Sequence, residues 1–343
     1  MHKKPIPRLG GLAIYISFVI VSLVLGQWNM QNFTILIGSA IIVVLGIFDD
    51  RNALSAKFKF GIQLIAAAIP VVFGNLRIEL ITNPNLFSGE LYVKFGALAI
   101  PITIIWIVAI TNAVNLIDGL DGLAVGVSAI ACMTMLAVSL LIGEVPIAIL
   151  LAVLAGACVG FMPFNLNPAS IFMGDTGSTF LGFMLATLSI QGMFKVYAII
   201  SFAVPFLILG LPIFDTAFAF TRRILSGRSP FSRGHVHHRL IDMGFNQKQT
   251  VAILYIISTV LGLLAVVLTT SGEYRAIVMV LVVLITCVVG GGIYLSAERR
   301  KMKLHEQKLH ELNQQENEQQ KIAEQTQDAD DTSDRGGFDN EDN

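Results

Sequence analysis

The chain has 343 residues, of which 54% are hydrophobic and only 14% are Asp, Glu, Lys or Arg; ordinary soluble domains carry about 25% of these four. This composition excludes a soluble globular enzyme, and it excludes disorder over most of the length because disordered segments are polar and charged. The net charge of −1 argues against nucleic-acid binding, which requires a basic surplus. An integral membrane protein is the default expectation.

The hydropathy pattern predicts an all-α fold, a polytopic helical membrane protein with about ten transmembrane helices. A helix needs roughly 20 apolar residues to cross the hydrocarbon core, and fewer where it packs against protein. Ten apolar runs meet this requirement, at residues 9–28, 33–48, 58–74, 96–113, 122–142, 146–162, 179–194, 198–220, 251–270 and 276–296. We therefore assign residues 1–296 to a transmembrane domain.

Residues 297–343 form a second segment of different composition. They carry 7 basic and 13 acidic side chains and are rich in Gln and Asn, whereas residues 1–296 carry 16 basic and 11 acidic ones. Such a polar segment is predicted to be a solvated, largely disordered cytoplasmic tail.

The positive charges predict the orientation, because short cytoplasmic loops carry the excess of Lys and Arg. With Met1 in the cytoplasm, the loops at 49–57, 114–121, 163–178 and 221–250 and the tail all lie on that side, with 19 of the 23 basic residues. We therefore expect a multi-pass protein of the cell membrane whose polar loops face the cytoplasm.

The first polar loop opens with two adjacent carboxylates, Asp49 and Asp50, at the end of an apolar run. Adjacent carboxylates repel, so keeping both ionised calls for a metal ion or for nearby cations such as Lys59. A polar helix end at the membrane interface is the simpler alternative.

The second loop, NAVNLIDGLDGLA, carries Asn112, Asn115, Asp118 and Asp121 at intervals of three. This spacing keeps the oxygens on one broad side of a helical end, and the intervening glycines allow a ligand to approach closely. The pattern favours a metal–diphosphate or nucleotide site over simple helix capping.

The third loop, FNLNPASIFMGDTGS, precedes the seventh apolar run and contains Asn165 and Asp175. A helix N-terminus favours phosphate, and Asp175 between two glycines is placed like a metal ligand. A plain N-cap by Thr176 or Ser178 is an equally good explanation of the same residues.

The fourth loop is basic and contains the sequence GHVHHRL. Its side chains include Arg233, His235, His237 and His238. No cysteine accompanies the histidines, so an anionic phosphate substrate is a better partner for them than zinc. Anchoring of positive charge at the inner membrane face explains the arginines but not three histidines in four residues. Asp215, near the cytoplasmic end of the eighth run, is expected to support this site from behind.

These four motifs, in this order, resemble those of the polyprenyl-phosphate N-acetylhexosamine-1-phosphate transferases over about residues 2–245. Within that family, HVHHRL and the opening HKKPIPRLGG look more like the undecaprenyl-phosphate GlcNAc-1-phosphate transferases of teichoic acid and O-antigen synthesis. The resemblance implies a transferase that converts UDP-GlcNAc and undecaprenyl phosphate into undecaprenyl-diphosphate-GlcNAc and UMP with Mg²⁺, Mn²⁺ being the alternative ion.

The resemblance also implies roles for individual residues. Asp49 deprotonates or positions the lipid phosphate, and Asp50 assists near the metal. Asp175 is a direct metal ligand, whereas Asp118 and Asp121 bind the metal or the nucleotide with Asn115 beside them. The remaining assignments are to substrate: the nucleotide diphosphate for His235, His237 and His238, the lipid phosphate for Lys59 and Arg8, and substrate without a named group for Asn165 and Arg233.

Members of this subfamily usually have one more transmembrane helix before the HKKPIPRLGG segment, so a mis-assigned start or a truncation is expected here. A phospho-MurNAc-pentapeptide transferase, or a transferase for another UDP-N-acetylhexosamine, is the alternative enzyme, and an anionic-solute transporter is the alternative of another class. A homodimer is compatible with the sequence, which does not determine the oligomeric state.

Overall fold

Helices make up most of the chain that the structure describes. The structure is a computed structural model that describes residues 6–82, 92–192, 203–217 and 236–270. They all belong to one unit, Met1–Thr286. The helices are α1 (Gly10–Leu25), α2 (Met30–Arg51), α3 (Ala56–Val72), α4 (Ala99–Ile117), α5 (Leu123–Leu141), α6 (Val145–Asn165), α7 (Gly174–Gly192), α8 (Ala203–Ile208), α9 (Val236–Asp242) and α10 (Gln247–Thr269).

The predicted architecture of a polytopic helical membrane protein is confirmed. Among the described residues, five helical segments are long and apolar enough to cross a membrane, and α1 is a shorter apolar helix. The five are Met30–Arg51, Gly96–Ile117, Leu123–Leu141, Val145–Asn165 and Gln247–Thr269. The nine predicted runs up to residue 270 each overlap helical backbone, including a stretch at 210–217. The tenth run, 276–296, and the tail, 297–343, lie outside the described residues.

Polar side chains begin several helices at the predicted ends of the apolar runs. Asn29 and Ser55 accept the backbone N–H groups of the first turns of α2 and α3. Asn246 and Gln249 form a reciprocal capping box at the start of α10. Such caps satisfy donors that a helix cannot satisfy itself, which fixes where each helix begins.

Helix α7 lies at the centre of the bundle. It packs against α1, α2, α4, α5 and α6, and every residue from Thr176 to Gly192 is buried. Because protein rather than lipid surrounds α7, it carries polar side chains such as Ser178 and Gln191 that a lipid-facing helix would not. The helix begins at Gly174, five residues before the predicted apolar run, so the polar residues of the third motif form its first turn.

Two glycines let neighbouring helices approach the start of α7. A Cβ at Gly11 of α1 would lie 2.1 Å from the backbone nitrogen of Gly177, and one at Gly46 of α2 would lie 2.4 Å from Cα of Thr176. Both distances are shorter than atoms tolerate, so only glycine fits. The close packing brings the ends of α1 and α2 to the first turn of α7.

The predictions lack a pair of short strands and one short helix. Strands β1 (Leu80–Thr82) and β2 (Tyr92–Lys94) form an antiparallel pair between α3 and α4. Strands of three residues are too short to show a period of two, which is why the sequence did not reveal them. Helix α9 lies within the loop predicted at 221–250.

The contact at Gly46 generates a stability prediction. We expect Gly46→Ala to lower the free energy of unfolding by about 1–3 kcal/mol, because the new methyl group must displace the backbone of α7. Thermal unfolding in detergent measures this change.

Gly156→Ala in α6 is the matched control, since no atom lies within 4 Å of a Cβ at that position. It should be neutral or stabilise the protein by up to about 1 kcal/mol through helix propensity. Equal melting temperatures for both variants would contradict the proposed packing.

Candidate active site

A lysine bridges two carboxylates where three helices meet. Lys59 Nζ lies 2.7 Å from Asp49 Oδ2 and 2.9 Å from Asp175 Oδ2. Asp49 comes from the end of α2, Lys59 from the first turn of α3, and Asp175 from the first turn of α7. The backbone N–H of Leu54 also donates to Asp49 Oδ1 at 2.7 Å. Loops far apart in sequence are thus joined by a shared cation.

The two carboxylates of this cluster differ in exposure. The side chain of Asp49 is 8% exposed, whereas that of Asp175 is 34% exposed. Asn115, at the end of α4, lies beside Asp175 and donates to the Ser178 hydroxyl at 2.8 Å. Asp175 is therefore the carboxylate of the pair that a ligand reaches more easily.

Asp50 caps the N-terminus of α7. Its Oδ1 accepts the backbone N–H of Asp175 at 2.8 Å, and its Oδ2 accepts the N–H of Thr176 at 3.0 Å and the Thr176 hydroxyl at 2.6 Å. Gly174 has φ +69°, and a Cβ there would lie 2.5 Å from Asp50 Oδ2. Both carboxylate oxygens of Asp50 thus bind protein groups in the turn that carries Asp175, and the role of Asp50 near a metal ion stays a prediction.

Asp118 is the C-cap residue of α4 and lies near three other acids of the motifs. Burial in dense surrounding protein and, to a smaller extent, the negative charges of Asp175, Asp50 and Asp121 together raise the pKa of Asp118 to about 7. Because like charges disfavour ionisation, a cation among these carboxylates would favour the charged form of Asp118. Acids of the first three motifs therefore lie near one another at this end of the bundle.

Asp121 and the asparagines of the third motif hold two loops together. Asp121 Oδ2 accepts the amide of Asn167 at 2.9 Å and the backbone N–H of Ala169 at 3.1 Å. Asn165 accepts the N–H of Gly122 at 3.1 Å and donates to the carbonyl of Ile171 at 2.9 Å. Asn165 is 3% exposed, so its amide holds these loops together, and its binding of substrate stays a prediction.

The histidine segment lies against the second motif. The ring of His237 is 2% exposed, and its Nε2 would lie 2.5 Å from a Cβ at Gly119. The rings of His237 and His238 have centroids 4.2 Å apart. Asp215 Oδ1 accepts the backbone N–H of Val236 at 2.6 Å, so the expected support by Asp215 is a bond to the start of α9. Arg233 and His235 lie outside the described residues.

Arg8 reaches the site through its backbone. The segment before α1 pairs with the loop before α7, since Phe172 N donates to Pro7 O at 2.8 Å and Gly10 N donates to Phe172 O at 3.1 Å. The Arg8 carbonyl lies 2.7 Å from the position of a Cβ on Gly174, and the residue is exposed. This places residues 7–11 beside Asp50 and the first turn of α7.

Tyr255 of α10 is a residue of this region that the motifs did not indicate. Its hydroxyl donates to the carbonyl of Gly122, the N-cap residue of α5. Tyr255 lies inside an apolar run and 133 residues from its partner, so no spacing in the sequence connects the two.

Comparison with known proteins identifies the family. Residues 32–193 match the model of glycosyl transferase family 4. A Bacillus subtilis protein named as a probable undecaprenyl-phosphate N-acetylglucosaminyl 1-phosphate transferase is 42% identical over 289 residues, which cover 83% of this chain and 79% of the relative. The chain belongs to glycosyl transferase family 4.

Two more distant relatives differ in the substrates that their names state. A Mycobacterium tuberculosis decaprenyl-phosphate N-acetylglucosaminephosphotransferase is 35% identical, and the matched region covers 75% of this chain and 70% of the relative. A Staphylococcus aureus phospho-N-acetylmuramoyl-pentapeptide-transferase is 32% identical, with 77% and 85% covered. The resemblance to polyprenyl-phosphate N-acetylhexosamine-1-phosphate transferases is therefore confirmed, and the chain is a multi-pass membrane protein of this family.

The Asp50 cap generates a prediction on stability and activity together. Asp50→Asn replaces one acceptor oxygen by an NH₂ group, which then faces N–H donors of α7. The substitution also removes the negative charge at the helix N-terminus. We expect the free energy of unfolding to fall by about 1–2 kcal/mol, and transferase activity to fall because Asp175 occupies the same turn. Thermal unfolding and initial rates in detergent measure the two effects.

Glu144→Gln is the control for the loss of a carboxylate beside a helix start. Glu144 is the N-cap residue of α6, and its side chain makes no capping hydrogen bond. This variant should retain both properties. A wild-type melting temperature for Asp50→Asn would show that the cap does not stabilise α7.

Proposed function

We propose that this chain transfers GlcNAc-1-phosphate from UDP-GlcNAc to undecaprenyl phosphate, which yields undecaprenyl-diphosphate-GlcNAc and UMP. The observation that carries the proposal is the contact of Lys59 with Asp49 and Asp175, at distances of 2.7 and 2.9 Å, beside the acids of the second motif. The name of the 42% identical relative supports the same transferred group and acceptor. The product is a lipid-linked sugar that a cell-envelope polysaccharide pathway, such as teichoic acid synthesis, would use.

The reaction joins an oxygen of the lipid phosphate to the β-phosphorus of UDP-GlcNAc, and the bond from that phosphorus to the UMP oxygen breaks. Asp49 and Lys59 are the groups suited to the lipid phosphate: the carboxylate orients or deprotonates it, and the ammonium offsets its charge. Arg8, which lies beside the first turn of α7, adds a second cation for this phosphate. Alignment of two anionic groups is the main demand that phosphoryl transfer makes on a protein.

The nucleotide diphosphate is the proposed partner of the second motif and the histidine segment. His238 and the loop at 118–121 face it from neighbouring elements, and Arg233 and His235 are proposed to add donors. In this arrangement Asn165 and Asn167 hold the loops rather than the substrate, because their amides bind Gly122, Ile171, Asp121 and Gln247.

The residues fit a magnesium ion. Within the described parts of the chain, no three His, Cys, Asp or Glu side chains form a metal site by themselves. Mg²⁺ usually takes one or two carboxylates and completes its shell with water and substrate phosphates, which suits Asp175 and the acids at 118 and 121. The ion would neutralise phosphate charge during transfer, and Mn²⁺ is the alternative.

We further propose that the site faces the cytoplasm, where UDP-GlcNAc is made. The excess of basic residues in the site loops supports this orientation. The acids cluster at helix ends rather than at the middle of the bilayer, where transporters place their polar groups. An enzyme is therefore favoured over an anionic-solute transporter.

The proposal predicts a strict dependence on both lipid and metal. Membranes or purified protein should release UMP from UDP-GlcNAc only when undecaprenyl phosphate and Mg²⁺ are both present. Asp49→Asn and Asp175→Asn should each lower the rate at least about 100-fold, because each removes a charge that acts at the reacting phosphates. Quantification of UMP by chromatography measures the rate.

Glu79→Gln is the matched control, since Glu79 is an exposed carboxylate that follows α3 at the far end from Lys59. It should keep the wild-type rate. Full activity of the Asp49→Asn, Asp175→Asn double variant would contradict the site assignment, and UMP release without the lipid would contradict the acceptor.

A competition assay tests the donor. UDP-GlcNAc, UDP-GalNAc and UDP-MurNAc-pentapeptide are supplied together, and mass spectrometry identifies the lipid product. We expect the GlcNAc-linked lipid to dominate. A MurNAc-pentapeptide product would favour the activity named for the Staphylococcus aureus relative.

A further inference from the structure

Gly122 is clamped on both sides of its peptide backbone. Its N–H donates to Asn165 Oδ1 at 3.1 Å. Its carbonyl accepts two hydrogen bonds, one from the Tyr255 hydroxyl at 2.5 Å and one from the N–H of Gly126 at 3.0 Å. A carbonyl oxygen has two lone pairs. The Gly122 carbonyl therefore accepts the first backbone hydrogen bond of α5 and the Tyr255 hydroxyl at the same time.

The position of Tyr255 depends on a second glycine. A Cβ at Gly126 would lie 2.0 Å from the Tyr255 hydroxyl oxygen and 2.1 Å from the ring carbon that bears it. Because Gly126 has no side chain, the phenol ring of α10 lies directly on the first turn of α5 and reaches the Gly122 carbonyl. The contact therefore couples α10 to the end of the 118–122 loop.

This loop needs an external constraint. It contains Gly119 and Gly122, and Gly122 has φ +80°, so its backbone is easily displaced. It also carries Asp118 and Asp121, which repel each other and the acids of the neighbouring loops. The ties to Asn165 and Tyr255 hold the end of the loop against that repulsion.

We propose that Tyr255 is a positioning residue, which acts through Gly122 to hold Asp118 and Asp121 in place. It touches neither substrate nor metal in this role. Its effect on catalysis rests on the proposed function, in which the two acids bind the metal or the nucleotide, whereas its effect on the loop does not.

Hydrogen exchange tests the clamp independently of activity. Tyr255→Phe removes one oxygen atom and keeps the ring that packs on Gly126. In the purified full-length protein, amide exchange in a peptide that spans residues 112–126 should become about two- to ten-fold faster, the factor expected for loss of one hydrogen bond. Identical exchange in wild type and variant would overturn the proposal.

Steady-state kinetics test the consequence for the site. With UDP-GlcNAc and undecaprenyl phosphate as substrates, the half-saturating Mg²⁺ concentration should rise about ten-fold in Tyr255→Phe, as for other residues that orient metal ligands. The KM for undecaprenyl phosphate should stay unchanged, because Asp49 and Lys59 do not depend on this loop. A merely structural role would instead reduce the amount of active enzyme and leave the Mg²⁺ dependence as it is, which would overturn the link to the site.

Two further variants complete the test. Thr269→Val also removes a hydroxyl from α10, but that hydroxyl bonds Ala265 within the same helix, so exchange and Mg²⁺ dependence should match wild type. Gly126→Ala pushes Tyr255 away from the other side and should reproduce the Tyr255→Phe effects, although alanine is the better helix former. Additive effects in the double variant would show that the two changes act on different contacts and would overturn the clamp.

If wild-type protein releases no UMP while exchange in Tyr255→Phe is accelerated, the proposed reaction fails and the clamp stands. If wild-type protein is active and the variant differs in neither assay, the clamp fails and the reaction stands.

Discussion

Neutralisation of a few carboxylates at one end of an apolar bundle is the constraint on which the rest of the structure depends. Charges are costly to bury unless they are paired or hydrogen-bonded. Here Asp49 binds Lys59 and the N–H of Leu54, Asp50 binds the first turn of α7, and Asp121 binds Ala169 and Asn167. The partners of Asp50 and Asp121 come from distant parts of the chain. Satisfying the acids therefore also draws the loops of the bundle together.

The first turn of α7 is the point where these requirements converge. Its N–H groups donate to the Asp50 carboxylate, which lies at the positive end of the helix dipole. Its own Asp175 extends to Lys59. Gly11 and Gly46 remove the side chains that would separate α1 and α2 from this turn. The N-terminus of α7, which the sequence suggested as a phosphate site, is thus occupied by a protein carboxylate. In the proposed reaction, binding of phosphate would therefore fall to the basic side chains around it.

The sequence predicts the membrane helices and the grouping of the polar loops well. Apolar runs of sufficient length and the distribution of Lys and Arg carry that information directly, so the positions of α1 to α7 follow closely. The sequence does not separate the roles of Asp49 and Asp50. Successive residues on a helix point about 100° apart, so one faces Lys59 and the other faces α7, and only the packed structure shows which. The contact of Tyr255 with Gly122 also cannot be predicted from the sequence, because Tyr255 lies in an apolar run where a tyrosine looks like an ordinary packing residue.

The polar motifs of this family combine two kinds of residue that the sequence alone does not distinguish. Asn165 and Asn167 look like ligands in the third motif, yet their amides bind backbone and side chains of the protein. Asp175, eight residues beyond Asn167, keeps a third of its side chain exposed beside Lys59. In a bundle with so few polar groups, each loop that bears a reactive carboxylate also needs amides that hold it in place. A site in this setting therefore requires more polar residues than the chemistry uses, and burial with complete hydrogen bonding marks those that support it.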